Sequence, residues 1–268
     1  MRLSLGITPK SYFNLAVPND TDAQAFITAA SITDGTQQSA VNQLVLDLKS
    51  ANVWTKIKAA YPMVGGTATS CKWNLKDARD LDAAFRLVFS GGGTFSSNGY
   101  QPNGTNAYAN TFLVPFTFYS TNIHLSYYSR TSTIGNVQEI GCSQISGPTY
   151  YSTLATARNS ILGLTTNGQI NYLAQANSLG FFLGQKLTNS SRKVLRNGIV
   201  NNSTSTTDSN AMPNTNAYIG AFNDNGIAAA YSSKQCAFAS IGDGLTDAEA
   251  LAFYNAVQTF NTTLGRQV

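Results

Sequence analysis

Charge is the scarcest property of this 268-residue chain: Asp, Glu, Lys and Arg together make up 11% of it, about half the usual share. Histidine occurs once, as His124, so a zinc site built from several imidazoles is excluded. A Ser-His-Asp triad would have to use that same residue, and no G-x-S-x-G elbow accompanies it. The three cysteines, Cys71, Cys142 and Cys236, are far apart and show no C-x-x-C spacing, which reads as buried free thiols. No G-x-G-x-x-G leads into a helix and no P-loop is present, so a nucleotide site is not expected. The basic residues form no run longer than Arg192-Lys193, and the net charge is only +4, so nothing calls for nucleic acid. No apolar run reaches transmembrane length. Residues 1–16 lack the continuous apolar core of a secretory leader, so none is expected.

What is plentiful is Asn, Ser, Thr and Gly, the surface chemistry of an exported or virion β protein rather than of a cytosolic enzyme. Residues 1–20 alternate apolar residues with breakers and read as an extended arm. Its Leu3, Leu5, Ile7, Tyr12 and Phe13 are too apolar for a solvated tail. They either pack back on the domain or anchor the chain to a larger assembly. Residues 21–63 read as a helical segment. Thr21-Asp22-Ala23-Gln24 has the form of a capping box, and Thr33-Asp34 starts a second helix with Ala40, Val41, Leu44, Val45 and Leu48 on one stripe. A third helical turn is expected over Val53, Trp54 and Ile57, and the helices are expected against a sheet edge or end.

From Val64 onward the period changes to that of strands. Short candidates over 68–75, 83–89, 107–114, 123–130, 137–142, 150–157, 160–164, 170–174 and 179–187 are punctuated by Gly, Asn, Ser and Pro. That spacing predicts an antiparallel sandwich over 64–268 rather than βαβ units. Asn197-Gly198, between two apolar runs, marks a two-residue hairpin because both residues tolerate positive φ. Further strands are expected over 217–222 and 236–241. Thr246-Asp247-Ala248-Glu249 is a capping box that opens a short C-terminal helix.

Several of these stretches, in this order, carry a family resemblance. Gly104 to Thr111 followed by Pro115, the Arg196-Asn197-Gly198-Ile199-Val200 hairpin, Tyr218-Ile219-Gly220-Ala221 and Ile241 to Glu249 together resemble the laminin-G-like, concanavalin A-like jelly roll. The resemblance implies a mainly β, antiparallel jelly-roll sandwich with an N-terminal helical segment and a C-terminal helix. The preface over 40–66 and the stretch Asn74 to Leu87 look like a module found on virion proteins of phages that infect Bacteroidetes-type bacteria. That likeness implies a non-enzymatic virion structural protein, a capsid-surface spike or fibre or a tail-associated component. Its partners would be other virion proteins, further copies of itself and host surface glycans. An extracellular carbohydrate-binding lectin module is the alternative.

Glycosidases also use the jelly-roll fold, and cleavage normally takes two carboxyl groups. This chain has only Glu139 and Glu249 as glutamates and no E-x-D-x-x-E strand, so no catalytic residue is nominated. Asp77, Asp80 and Asp82 are the densest acid cluster and offer the hard oxygen ligands calcium takes. Interleaved Lys76, Arg79 and Arg86 favour ion pairing instead, and neither metal nor cofactor is assigned. Sugar recognition uses flat aromatic faces with amide and hydroxyl partners. Tyr100, Tyr108, Tyr119, Tyr127, Tyr128, Tyr150 and Tyr151 cluster in the first half of the sandwich beside many Asn, Gln and Ser. From these, Tyr100, Tyr127, Tyr128, Tyr150 and Tyr151 are the glycan-binding candidates. Tyr127 and Tyr128 must point to opposite faces if extended, as must Tyr150 and Tyr151. The competing reading is that tyrosines simply cover the sheet.

Overall fold

A computed structural model describes residues 19–118, 122–145, 149–158, 161–166, 169–174, 176–205, 207 and 212–268. Leu3, Leu5, Ile7, Tyr12 and Phe13 lie outside the described residues. Seventeen described strands, numbered in chain order, form two sheets. The first contains β1 (Ile57–Tyr61), β3 (Thr94–Ser96), β4 (Gly99–Gln101), β6 (Ile123–Ser129), β11 (Gly180–Thr188), β12 (Ser191–Arg196), β13 (Ile199–Thr204) and β17 (Cys236–Gly242). Their order is β13-β12-β11-β6-β17-β4-β3, with β1 also on β17. The second contains β2 (Val88–Ser90), β5 (Tyr108–Asn110), β7 (Ile140–Ile145), β8 (Thr149–Arg158), β9 (Ile161–Thr166), β10 (Gln169–Ala174), β14 (Tyr218–Ile219), β15 (Phe222–Asp224) and β16 (Ile227–Ala229). Its order is β10-β9-β8-β7-β14-β5-β2, with β15 on β7 and β16 on β15. All pairings between these strands are antiparallel except β15 with β7. The fold is the mainly β, jelly-roll-like sandwich that the strand spacing predicts.

The central strands of the first sheet are apolar on both faces, and two cores explain why. Tyr127, Phe182, Val194, Ala239 and Ile241 face inward to Ile140, Cys142, Leu154 and Ile219 of the second sheet. Their neighbours Tyr128, Phe181, Leu195 and Phe238 face outward into a second core. That core is completed by α1 (Thr21–Ala29), α2 (Gly35–Ser50) and α5 (Asp247–Thr263), through Phe26, Leu44, Leu48, Phe253, Val257 and Phe260. Each such large apolar side chain contributes about 1.5–3 kcal/mol on leaving water. The helices therefore cover the outer face of the central strands of this sheet rather than only an edge or an end. Residues 21–63 share a core with the sandwich, and β1, inside that span, is one of its strands.

Local chemistry explains where the sequence expectations held and where they shifted. Asp34 caps α2 by accepting from the Gln37 N–H, and Thr246 and Glu249 form the full capping box of α5, which runs for 17 residues. At α1 the cap is Asp20, accepting from the Asp22 N–H, with Thr21 already helical. The expected turn at Val53 to Ile57 is a 3-10 turn over Trp54–Lys56 that passes straight into β1. Within 68–75, Thr67 and Ser70 cap each other and wind α3 (Ala68–Cys71) in place of a strand. Phe85 adopts φ 60°, so the strand expected over 83–89 begins only at Val88. The strand expected over 217–222 breaks at Gly220, with φ 81°, into β14 and β15. All three cysteines are buried and free.

The β12–β13 hairpin turns through Asn197 at φ 52° and Gly198 at φ 74°. A Cβ on Gly198 would meet Leu251 Cδ1 at 2.8 Å and Tyr254 Cδ1 at 3.1 Å. Gly198→Ala is expected to cost about 1–2 kcal/mol, since it adds this crowding to a left-handed backbone. Urea unfolding of the variant against the parent checks it, and an unchanged midpoint would contradict the turn geometry.

Candidate functional site

Three nominated tyrosines are core residues. Tyr100 is fully buried, its ring packed on Phe89 and Phe95 with centroids 4.9 and 5.1 Å away. Tyr127 is fully buried on the inner face, and its hydroxyl donates to the Lys234 carbonyl at 2.6 Å. Tyr128 points to the opposite face, as alternation requires, donates to Gln258 Oε1 at 2.8 Å and accepts from the Val268 N–H at 3.0 Å. Enclosure of these rings leaves no face for a sugar, which corrects the nomination of Tyr100, Tyr127 and Tyr128. Tyr150 and Tyr151 lie on β8 opposite Gln144 and Ser143 of β7, where the description reaches the backbone only.

The carboxylates are committed to structure. Glu139 and Lys234 form an ion pair of 2.9 Å with both side chains fully buried. Glu139 also accepts from Ser232 Oγ at 3.1 Å and from the Thr156 N–H. Glu249 closes the α5 capping box and pairs with Lys56 at 2.6 Å. Burial pulls the Glu249 carboxyl upward, but Lys56 and the Thr246 N–H outweigh it and hold the group below its ordinary range. In the acid cluster, Asp77 pairs with Arg79 at 2.5 Å, Asp80 with Lys72 at 2.6 Å and Asp82 with Arg86 at 2.8 Å. Among the described residues no group of three His, Cys, Asp or Glu could hold a metal ion.

His124 is fully buried at the end of the first sheet. Its Nδ1 lies 2.6 Å from the Asp243 carbonyl, which can only accept, so Nδ1 carries the proton. Nε2 therefore accepts from Ser240 Oγ at 3.0 Å, and Ser126 Oγ in turn donates to Ser240 Oγ at 2.6 Å. Burial pushes the imidazole down to about 4. This chain of bonds is closed off from solvent and ties β6 and β17 to the approach of α5.

Of the four sheet faces, two meet each other and helices cover the central strands of a third. On the outer face of the second sheet Ser143, Thr153 and Ala155 are buried, and the described part that reaches solvent lies around β2 and β5. Ala109, Ile140, Cys142, Leu154 and Ile219 point inward, so alternation turns Tyr108 and Asn110 of β5, Tyr218 of β14, and Val88 and Ser90 of β2 outward. Tyr108 stacks on Tyr218 with ring centroids 4.5 Å apart and planes 25° apart, and Tyr231 tilts against Tyr108 at 6.4 Å. Tyr218 sits directly opposite Gly141 and is itself buried. Burial, with Tyr108 beside it, raises the Tyr218 phenol above its ordinary value. Tyr108 and Tyr231 are half-buried, so each shows part of a ring to solvent. Asn110 Oδ1 accepts from the Phe112 N–H, which leaves its NH2 as a donor. Aromatic surface beside amide and hydroxyl groups is the chemistry a sugar needs. Tyr108 belongs to the tyrosine-rich stretch of the sequence, whereas Tyr218 and Tyr231 come from more than a hundred residues later and signal nothing until the sheet assembles.

No family model matches this chain, and neither does any curated protein. Solved structures do. Domain 4 of AbnA, a GH43 extracellular arabinanase from Geobacillus stearothermophilus, is 12% identical with a TM-score of 0.48, over 74% of this chain and 98% of that one. A Trypanosoma rangeli sialidase is 11% identical with a TM-score of 0.47, over 81% of this chain and 39% of that one. The CBM40 of a Ruminococcus gnavus IT-sialidase is 14% identical with a TM-score of 0.39, over 50% of this chain and 83% of that one. At these identities and TM-scores the likeness says nothing of the site.

Proposed function

We propose that this chain is a non-enzymatic, glycan-binding sandwich displayed on a bacteriophage particle, where it serves host attachment. One observation carries the glycan part: among the described residues, the solvent-facing part of the second sheet presents Tyr108 and Tyr231, packed on the buried Tyr218, beside Asn110 and Ser90. The non-enzymatic part draws support from the carboxylates. Both glutamates are held in structural ion pairs, and the one described carboxylate on that face, Asp224, accepts from Ser143 Oγ at 2.7 Å. Hydrolysis of a glycosidic bond normally takes two. The virion setting rests on the sequence resemblance over 40–66 and 74–87 and on the low surface charge.

Tyr108→Ala is the direct test. Losing a stacked ring of this kind is expected to weaken binding of the fluorescently labelled protein to host cells about tenfold. Thermal unfolding should change little, because the ring is half-exposed. Binding that survives both this substitution and enzymatic stripping of surface glycans would remove the glycan reading. Immunogold labelling of purified particles separates a virion protein from an extracellular lectin, since only the former decorates particles.

A further inference from the structure

The charge around the outer face of the second sheet narrows the ligand. The basic side chains that the structure describes belong to other surfaces or to the interior. Lys49, Lys56, Lys72 and Arg86 form ion pairs on the helical and loop side, and Lys193 pairs with Asp247 at the start of α5. Lys234 is sealed inside with Glu139. On the second sheet itself the basic residue is Arg158, at the far end of β8. It lies five positions beyond Thr153, which together with Tyr218 flanks Gly141. Five residues of strand are about 17 Å of backbone.

The charge that does lie on the face is negative. Asp224 is exposed and pairs with Ser143 of β7, two residues along that strand from the Gly141 opposite Tyr218. That spacing is about 7 Å. The Ser143 hydroxyl donates to one carboxylate oxygen, which holds the group in place at the rim of the tyrosine cluster. Ring faces, an amide NH2 and hydroxyls suit sugar C–H faces and hydroxyl groups. A fixed carboxylate with no described cation beside it opposes a second carboxylate or a sulfate.

We infer that this face selects uncharged oligosaccharides and discriminates against sialylated, uronate-containing or sulfated ones. This rests on the glycan-binding reading and adds the ligand's charge class. The test presents the full chain with neutral oligosaccharides and the sialylated or uronate counterpart of each, at 0.05 and 0.5 M salt. The expected result is binding to at least one neutral sugar, with its acidic counterpart at least tenfold weaker at low salt and the gap narrowed at high salt. Asp224→Asn, which keeps an acceptor for Ser143, should narrow that gap several-fold. Tighter binding of the acidic partner, weakened by salt, would overturn the charge class and leave glycan binding standing. Binding to no sugar at all would overturn both.

Discussion

Lys234→Met is expected to destabilise the sandwich by about 3–5 kcal/mol, because it strands the Glu139 carboxylate, unpaired, in a fully buried site. Both side chains of that pair are fully buried, and the carboxylate's remaining contacts are a serine hydroxyl and one backbone N–H. Neither offers the compensation a full positive charge does. Removing both charges together, as Glu139→Leu with Lys234→Met, should restore much of the loss, since the cost lies in the unpaired ion rather than in the absent bond. Urea titration of the two single variants and the double variant gives the coupling directly. Strictly additive effects would mean the two groups do not act as a pair. The lysine also holds the fold in a second way, because its carbonyl takes the Tyr127 hydroxyl. Methionine keeps that carbonyl, so the experiment isolates the charge.

Acid should reveal His124 as the second large term. Its folded value is near 4, depressed by burial, against an ordinary value of 6.5. The folded state therefore holds the imidazole neutral, and protonation favours the unfolded chain. The contribution is fully present above pH 6.5 and is lost as pH falls toward 4. Each pH unit in that window is worth up to ~1.4 kcal/mol for one proton, or about 3 kcal/mol in total. Carboxylates also begin to titrate at the lower end, so the parent curve alone does not isolate the histidine. His124→Asn retains a donor toward the Asp243 carbonyl and cannot be protonated. It should be less stable at pH 7.5, but the parent's lead should shrink by about 3 kcal/mol between pH 7 and 4. Parallel stability curves would show that His124 does not titrate in the way its burial implies.

The hairpin at Asn197-Gly198, the α5 capping box and most strands of the sandwich can be read from the sequence, because each is fixed by neighbours within a few residues. The placement of the helices could not be read that way. The stripe of Ala40, Val41, Leu44 and Leu48 shows that α2 has a buried side, but its partners Phe181, Phe238 and Phe253 lie at least 130 residues away along the chain. The same distance explains the site. Periodicity shows that Tyr127 and Tyr128 face opposite ways, but not that both faces of that strand are covered. Tyr108 and Tyr218 become neighbours only through the pairing of β5 with β14. Three tyrosines of the dense stretch, Tyr100, Tyr127 and Tyr128, thus belong to the interior, and the cluster that reaches solvent through Tyr108 and Tyr231 is assembled from three separate segments.

Arg266 has implications for the order in which the molecule can be completed. Its guanidinium is buried without a carboxylate and donates to the carbonyls of Pro62 at 2.6 Å, Met63 at 2.8 Å and Ala237 at 2.9 Å, while Nε reaches Asn261 Oδ1 at 2.8 Å. Burial lowers its value to about 10, which still leaves it charged at neutral pH. Pro62 and Met63 precede it by 204 and 203 residues. At ribosomal speeds of about 5–20 residues per second, those carbonyls wait roughly 10–40 s for their donor. The β1 strand just before them waits as long for β17. The apolar faces of α1 and α2 therefore stay incompletely covered for as long. A chaperone that shields α1 and α2 until residue 266 has emerged should raise the yield of folded protein more than one acting later.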